Sequence, residues 1–443
     1  MAERRCFLLV EYKQKQRVVD YIQDGEIKRE MKVVIEEQLI TEEGYTISIP
    51  SSLTEFITLY YGKKAISTRR NTAIIVCAFL NYVKSKVKEG EDEDFLKLKE
   101  EGFFGLELVH ASKYLNYCGT TLKNSLDTVE QKENILINFY SFIIRKKIMK
   151  NKKMKIEYKI CKPSNGSKGK KVHLSPFDDP NHKVIRPSKK RVANEKRNNM
   201  SRKLWKKFLS LAKEKAPDIE FGIALQIMGG LRRGEVVNLI LDDVSIYNEY
   251  QDYADMQEGT FILEANITDR TDELFVPRGI QIDTSSPKKH RRNQPVFDFD
   301  NKLKERWETH LKRRSEILER TNKTSRALFI DKYGNPMSGS TYRKRFNKVK
   351  EAFLEYLKEN SYSEYKKYLN APWATHIGRG IFSNICVEIG LTNVNGVPNK
   401  RILANLRGDD YSDSCKPYID DAIIIDNAEA GVKVYSQLAD DDE

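Results

Sequence analysis

The sequence is poor in the features that mark secreted, zinc-binding and membrane-spanning proteins. Its six cysteines are scattered, with no Cys-x-x-Cys pair and no histidine at ligand spacing. This distribution disfavours disulfides and a structural zinc site, and it predicts a reducing, cytoplasmic location. The longest apolar run, residues 73–80, is too short to span a bilayer. The apolar stretch near the N-terminus is too short for a secretory signal.

Positive charge, in contrast, is abundant and concentrated in one internal segment. Residues 145–207 hold 23 Lys and Arg against 4 acidic residues, a net charge of +19, whereas the whole chain carries +13. The rest of the chain is therefore net acidic. A basic segment between two folded units is typical of polyanion binding. A solvated linker that is basic only for solubility is the alternative.

Length and hydrophobic periodicity predict several domains. The chain has 443 residues, 40% of them hydrophobic, which suits two or three domains. Residues 1–45 alternate apolar and polar side chains and predict a small β-rich extension, whereas 46–150 show helical spacing in four or five segments. Residues 151–195 predict a basic linker, and 196–443 mix helical segments with strand-like stretches, including 274–283. The predicted fold class is mainly α with small β-sheets (α+β).

The stretch MGGLRRGE at 228–235 is the first candidate for chemistry. Two glycines end an apolar helix, and Arg232 then opens the next element. Backbone N–H groups and the helix dipole favour an anion at such a position. Taken alone, an arginine here is more often a salt-bridge partner for a residue such as Glu235.

Two further motifs follow in the second half of the chain. Lys288 and Lys289 lie in SSPKKHRR, on a predicted turn between candidate strands, where a generic basic hairpin is the plainer interpretation. His376 and Arg379 lie three residues apart in a segment with helical spacing. Residues i and i+3 share a helix face, so this pair would repel when both are charged unless an anion lay between them. Taken alone, such a pair is more often ordinary helix surface.

In this order, the motifs resemble those of the tyrosine recombinases, the phage-integrase family. GGLRRGE is similar to the family's first arginine box, with Arg232 as the arginine. Lys288 or Lys289 would be the hairpin lysine, and His376 with Arg379 matches the His-x-x-Arg box. The resemblance spans roughly 50–430. It implies a helical core-binding domain at 46–150 and a catalytic domain at 196–443, closing on DNA as a C-shaped clamp, with 1–45 as a candidate arm-binding unit.

The resemblance implies cutting and rejoining of DNA through a 3′-phosphotyrosine intermediate, so that a mobile element or phage is integrated or excised. Two arginines would hold the non-bridging phosphate oxygens, the lysine would protonate the leaving 5′-oxygen, and His376 would exchange a proton. Covalent capture conserves the bond energy, so no cofactor or metal is expected. The implied partners are double-stranded DNA with a specific site, a tetramer assembled on it, and a directionality or DNA-bending factor. The implied location is the nucleoid of a bacterial host, with no membrane association.

The nucleophile implied by the resemblance lies after a further helix. Tyr418 falls near the family's spacing from Leu406-Arg407-Gly408, Tyr435 is its competitor, and Tyr411 is a more distant third. Gly408 or Asp409 stands where the family has a second histidine or a tryptophan, and an aspartate there would repel the phosphate. An inactive DNA-binding transcriptional regulator on the same fold is therefore the alternative. A type IB topoisomerase is a weaker one, and a metal-dependent transposase is disfavoured.

Basic residues outside these motifs are the candidates for DNA backbone contacts. One pair lies in STRRNT of the helical region, and the others lie in the basic linker: Arg69, Arg70, Lys152, Lys153, Lys189, Lys190 and Arg191.

Overall fold

The computed structural model describes residues 10–41, 44–146, 158–161, 170–173, 175–188, 200–246, 261–278, 292–394 and 397–408. The chain divides into two compact units, Met1–Arg191 (unit 1) and Val192–Glu443 (unit 2). Within the described ranges, the helices are all too short or too polar to cross a membrane. The predicted fold class, mainly α with small antiparallel sheets, is confirmed.

Unit 1 begins with a three-stranded antiparallel sheet in the order β1-β2-β3. Its strands are β1 (Val10–Gln23), β2 (Glu26–Ile40) and β3 (Thr46–Pro50). Strands β1 and β2 form a long hairpin across Asp24 and Gly25, which both have positive φ, as a two-residue type I′ turn requires. The β-rich character predicted for this region is therefore present over residues 10–50.

The helical region of unit 1 follows the sheet. Its helices are α1 (Thr54–Tyr61), α2 (Ile66–Glu89), α3 (Glu93–Leu96), α4 (Leu98–Glu101), α5 (Leu108–Thr120) and α6 (Leu126–Arg145). Helix α2 ends at Gly90 in the left-handed conformation, and α6 begins at Ser125, whose side chain accepts from the backbone N–H of Thr128. Aromatic side chains form much of the core, among them Phe56, Phe79, Phe139 and Tyr140. The region is helical as its spacing predicts, with six helices among its described residues where the sequence predicts four or five, because two of them are single turns of four residues.

Most of the predicted linker belongs to unit 1. Strands β4 (Tyr158–Cys161) and β5 (Lys170–His173) pair with each other, and in the segment 175–188 Phe177 is fully buried. The buried carboxylate of Glu133 on α6 accepts from Ser175 Oγ at 2.6 Å and from Arg186 Nη2 at 2.7 Å. Residues 175–188 are therefore held on the helices of unit 1.

Unit 2 is built mainly of helices around one small sheet. The helices are α7 (Arg202–Lys215), α8 (Glu220–Met228), α9 (Arg233–Asn238), α10 (Thr271–Leu274), α11 (Leu303–Thr321), α12 (Gly339–Asn360), α13 (Tyr362–Asn370), α14 (Ile377–Glu388) and α15 (Lys400–Leu406). The strands are β6 (Val244–Ile246), β7 (Ile262–Ile267) and β8 (Arg292–Phe297), paired in that order, and the short pair β9 (Asn393–Val394) and β10 (Val397–Pro398). Every residue of α8 is buried, so α8 is the central helix of the unit.

The strand predicted at 274–283 is wrong where the structure describes it. Leu274 ends helix α10, and Val276–Arg278 form a 3₁₀ turn. Pro277 has no N–H to give to a strand ladder, and Leu274, Phe275 and Val276 are buried through a compact turn instead. The apolar residues 274–276 are therefore buried, as their hydrophobicity predicts, but they do not form a strand.

Candidate active site

Arg232 is positioned by a tight glycine turn after the central helix. Helix α8 ends at Met228, and Gly230 then takes a φ of +64°, which favours glycine. A Cβ on Gly230 would lie 2.6 Å from the Phe382 ring of α14. The two glycines thus let the chain pass closely over α14 and place Arg232 at the start of α9, as the sequence predicts. Helix α9 has only six residues, so its dipole contributes little positive charge at its start, and the guanidinium group of Arg232 contributes most of it.

The buried carboxylate of Glu235 holds the Arg232 side chain. Glu235 is 0% exposed and accepts from the backbone N–H of Arg232 at 2.7 Å and from its Nη1 at 2.8 Å. Arg292, the first residue of β8, donates from Nη1 and Nη2 to the two oxygens of the same carboxylate, at 3.1 Å each. One carboxylate therefore links two guanidinium groups.

The pKa of Glu235 reflects this arrangement. Burial acts to raise it, but the hydrogen bonds and charge of Arg292, followed by those of Arg232, outweigh burial and leave the pKa below its ordinary value. Glu235 is thus an anion that neutralises one of the two cations.

Arg379 reaches the same turn from helix α14. Its side chain is 1% exposed, and Nη1 donates to the carbonyl of Gly230 at 2.6 Å. Helix α14 lies directly on α8, because a Cβ on Gly378 would be only 2.8 Å from Cβ of Gln226. The structure therefore brings Arg232 and Arg379, two residues predicted from separate motifs, to one glycine turn.

His376 lies at the beginning of the same helix. It is the residue before α14, with φ −71° and ψ −12°, and it is exposed where Arg379 is buried. The predicted His-x-x-Arg spacing therefore puts the imidazole at the solvent end of α14 and the guanidinium one turn further in.

The C-terminal end of α15 closes the other side of Arg292. Gly408 has a φ of +59°, and a Cβ there would lie 2.1 Å from Nε of Arg292. Gln294 on β8 accepts from Arg292 Nε at 3.1 Å and donates to the carbonyl of Leu406 at 2.6 Å. The backbone at 406–408 is thus fixed against the Arg292 side chain.

Several predicted site residues lie outside the described ranges. These are both hairpin lysines, all three candidate nucleophiles and the basic residues of the linker: Lys288, Lys289, Tyr411, Tyr418, Tyr435, Lys152, Lys153, Lys189, Lys190 and Arg191. Their roles stay predictions.

Arg69 and Arg70, predicted to contact DNA, lie on α2 facing the hairpin. Nη1 of Arg69 is 3.7 Å from the Glu30 carboxylate, and Nε of Arg70 donates to Gln14 Oε1 at 3.3 Å. Both side chains are half-buried. The structure therefore shows them in contacts within unit 1, and a DNA contact for either stays a prediction.

Arg292 is the site residue that the sequence analysis missed. It lies in the same KKHRR run as Lys288 and Lys289, and nothing in the spacing distinguishes it from its neighbours. What identifies Arg292 is that it shares the Glu235 carboxylate with Arg232, and this contact exists only in the folded chain. No cluster of three or more His, Cys, Asp or Glu side chains able to hold a metal ion occurs among the residues with described positions.

Helices α7 and α12, which pack together, carry further basic residues of unit 2. The first acidic residue of α7 is Glu214 and that of α12 is Glu351. The preceding turns of both helices contain basic and no acidic residues, although Arg345 pairs with Asp218 and Lys213 with Glu305. The exposed members are Lys203, Arg343, Lys344 and Lys348.

Comparison with solved structures finds integrases and recombinases at low identity. A Tn1549 transposon integrase in complex with a circular intermediate DNA matches with a TM-score of 0.44 and 12% identity, covering 84% of this chain and 93% of that one. The XerH site-specific recombinase bound to a difH substrate matches with a TM-score of 0.45 and 13% identity, covering 81% and 79%. A lambda integrase dimer bound to a core site matches with a TM-score of 0.37 and 11% identity, covering 91% and 95%. No family model and no curated protein sequence matches the chain.

Proposed function

We propose that the chain is a site-specific DNA recombinase that cuts and rejoins DNA through a 3′-phosphotyrosine intermediate and integrates or excises a mobile element or phage. The observation that carries the proposal is the hydrogen bond between Arg379 and the glycine turn that precedes Arg232. The hydrogen bond from Arg379 to Gly230 spans 149 positions of sequence. Two arginines gathered from distant motifs can together bind the oxygens of a single phosphate.

The charge balance of the cluster suits a phosphodiester. Arg232, Arg292 and Arg379 contribute three positive charges, and Glu235 contributes one negative charge. The net charge of +2 would be largely offset by the single negative charge of a diester and by the further charge that develops on the pentacoordinate phosphorus. The side chains of Arg232 and Arg292 are 14% and 16% exposed, so a phosphate can reach them from solvent.

The proposed reaction is attack of a tyrosine oxygen on phosphorus. The bond from phosphorus to the tyrosine oxygen forms as the bond to the 5′-oxygen breaks, and the 5′-oxygen takes a proton. The phenol loses its proton as it attacks. We assign nucleophilic attack to Tyr418, protonation of the leaving group to Lys288, and proton exchange to His376, while the arginines stabilise the transition state.

Binding along the duplex would use basic side chains outside the cluster. The exposed lysines and arginines of α7 and α12 are suited to phosphates, as is the basic segment 145–207. Such contacts give affinity and register without reading bases. They support DNA as the substrate of the arginine cluster, in preference to a small phosphate ester.

Covalent capture tests the proposal. A library of nicked duplexes with randomised sequence is incubated with the protein, and complexes that survive denaturation in SDS are recovered and sequenced. We expect the wild type to give such complexes and Tyr418→Phe to give none. Arg232→Ala and Arg379→Ala should lower the yield at least about a hundredfold. The exposed Arg320→Ala is the matched control and should behave as wild type.

Each other outcome identifies an error. Capture lost in Tyr435→Phe and kept in Tyr418→Phe would make Tyr435 the nucleophile. Specific DNA binding without any covalent complex would favour an inactive DNA-binding regulator instead. Gly408 is the observation that favours this second function, because it leaves position 408 with no side chain to contact a phosphate.

A further inference from the structure

In unit 2, the Arg292 side chain occupies the space that a side chain at position 408 would need. A side chain at 408 would begin 2.1 Å from Nε and 2.4 Å from Cζ of Arg292, which leaves no room for both. The contact is fixed from two directions, by Glu235 on the guanidinium group and by Gln294, which joins Arg292 to the end of α15. The glycine is therefore the consequence of where the Arg292 side chain lies.

In this position, Arg292 uses only some of its hydrogen-bond donors. A guanidinium group has five N–H bonds. Two donate to Glu235 and one to Gln294, which leaves two for a ligand. Nη1 of Arg292 and Nη1 of Arg232 contact the same Glu235 oxygen, so the two atoms lie within about 6 Å of each other. A phosphate held by Arg232 is thus within reach of Arg292.

We infer that Arg292 is a further phosphate-binding catalytic residue of the proposed recombinase, occupying the space of a side chain at position 408 and supplying the donor that Gly408 lacks. The inference rests on the proposed function for its substrate, while the exclusion between the two positions does not depend on that function. On this inference, the absence of a side chain at position 408 is compatible with a catalytically active site.

Thermal unfolding of the full chain tests the exclusion without DNA. Asparagine tolerates positive φ, so Gly408→Asn isolates the steric contact from backbone strain. We expect Gly408→Asn to lower the melting temperature in the wild type by several degrees, and by clearly less in an Arg292→Ala background. Equal losses in the two backgrounds would overturn the inference.

Covalent capture and DNA binding test the phosphate contact. Arg292→Ala should lower capture at least about a hundredfold, and Arg292→Ala with Gly408→His should recover at least about tenfold of this loss. Gly408→His alone should be as poor as Arg292→Ala. In binding, Arg292→Ala should reduce the slope of log affinity against log salt by about one, which a residue that only positions Glu235 would not do.

The failures of the two proposals can be told apart. Covalent capture by the wild type, with an unchanged salt slope in Arg292→Ala and no recovery in the double variant, overturns the role of Arg292 and leaves the recombinase. Absence of capture with a reduced slope overturns the recombination chemistry and keeps Arg292 as a phosphate contact. Absence of DNA binding by the wild type overturns both.

Discussion

At the scale of single residues, the candidate site depends on one carboxylate. Glu235 is fully buried and accepts four hydrogen bonds from Arg232 and Arg292. Without its charge, two guanidinium groups within about 6 Å would repel each other in a region of low dielectric. Glu235 therefore lets two cations stay near one point before any substrate arrives.

We predict that Glu235→Gln destabilises unit 2 by about 3–5 kcal/mol, the usual cost of removing one partner from a buried ion pair. The amide would also point N–H groups at guanidinium N–H groups. All three tryptophans, Trp205, Trp307 and Trp373, lie in unit 2, so their fluorescence during denaturant unfolding measures this unit in the full chain. The exposed Asp242→Asn is the control and should change the free energy of unfolding by less than about 0.5 kcal/mol.

The pH dependence of Glu235 follows from its lowered pKa. The folded chain holds the carboxylate more tightly than the unfolded chain, so its stabilisation is fully present above the ordinary value of 4.5. It is lost as the pH falls through the folded pKa. The difference between wild type and Glu235→Gln should therefore shrink in acid, and a difference that grew there would contradict the assignment.

At the scale of secondary structure, hydrophobic periodicity predicts the helices but not which of them contact each other. The apolar stretch 221–228 predicts helix α8 within a residue of its bounds, and the helical spacing around His376 and Arg379 predicts that α14 exists. The spacing cannot show that Gly378 lets α14 lie on α8, or that Arg379 thereby reaches Gly230. Arg292 escapes prediction for the same reason, because its identity as a site residue comes from a tertiary partner.

We predict that Gly378→Ala separates α14 from α8 and displaces Arg379. The new Cβ would lie 2.8 Å from Cβ of Gln226 and 3.2 Å from its backbone carbon, which cannot move aside as a flexible side chain could. The loss of stability should be about 1–3 kcal/mol, as for other overpacked cores, with a matching loss of covalent capture. Tryptophan fluorescence and the capture assay measure the two effects.

Gly380→Ala, in the same helix, is the matched control. Its position is half-buried, and alanine is the better helix former, so the stability should stay unchanged or rise slightly. Equal losses in the two variants would mean that α14 is sensitive to any added methyl group, and the close contact at Gly378 would not explain the placement of Arg379.

At the scale of the whole molecule, charge is divided unevenly along the chain. The segment 145–207 carries +19, and the remainder is net acidic. It joins the end of α6 in unit 1 to the first turns of α7 in unit 2. If DNA is the partner, most of the sequence-independent affinity should come from this segment, while the arginine cluster contributes few of the phosphate contacts.

We predict that replacing Lys152, Lys153, Lys189, Lys190 and Arg191 by Gln flattens the salt dependence of binding to a duplex of arbitrary sequence. Each phosphate contact releases nearly one counterion, so the slope of log affinity against log salt should fall by up to about 4 to 5. A control that changes Lys97, Lys99, Lys304, Lys312 and Lys358, all exposed, to Gln removes the same charge elsewhere. Because screening weakens distant charges, this control should keep the wild-type slope. Equal flattening in both variants would mean that net charge, and not the segment, governs binding, and an unchanged slope in the first would place the DNA contacts on α7 and α12 instead.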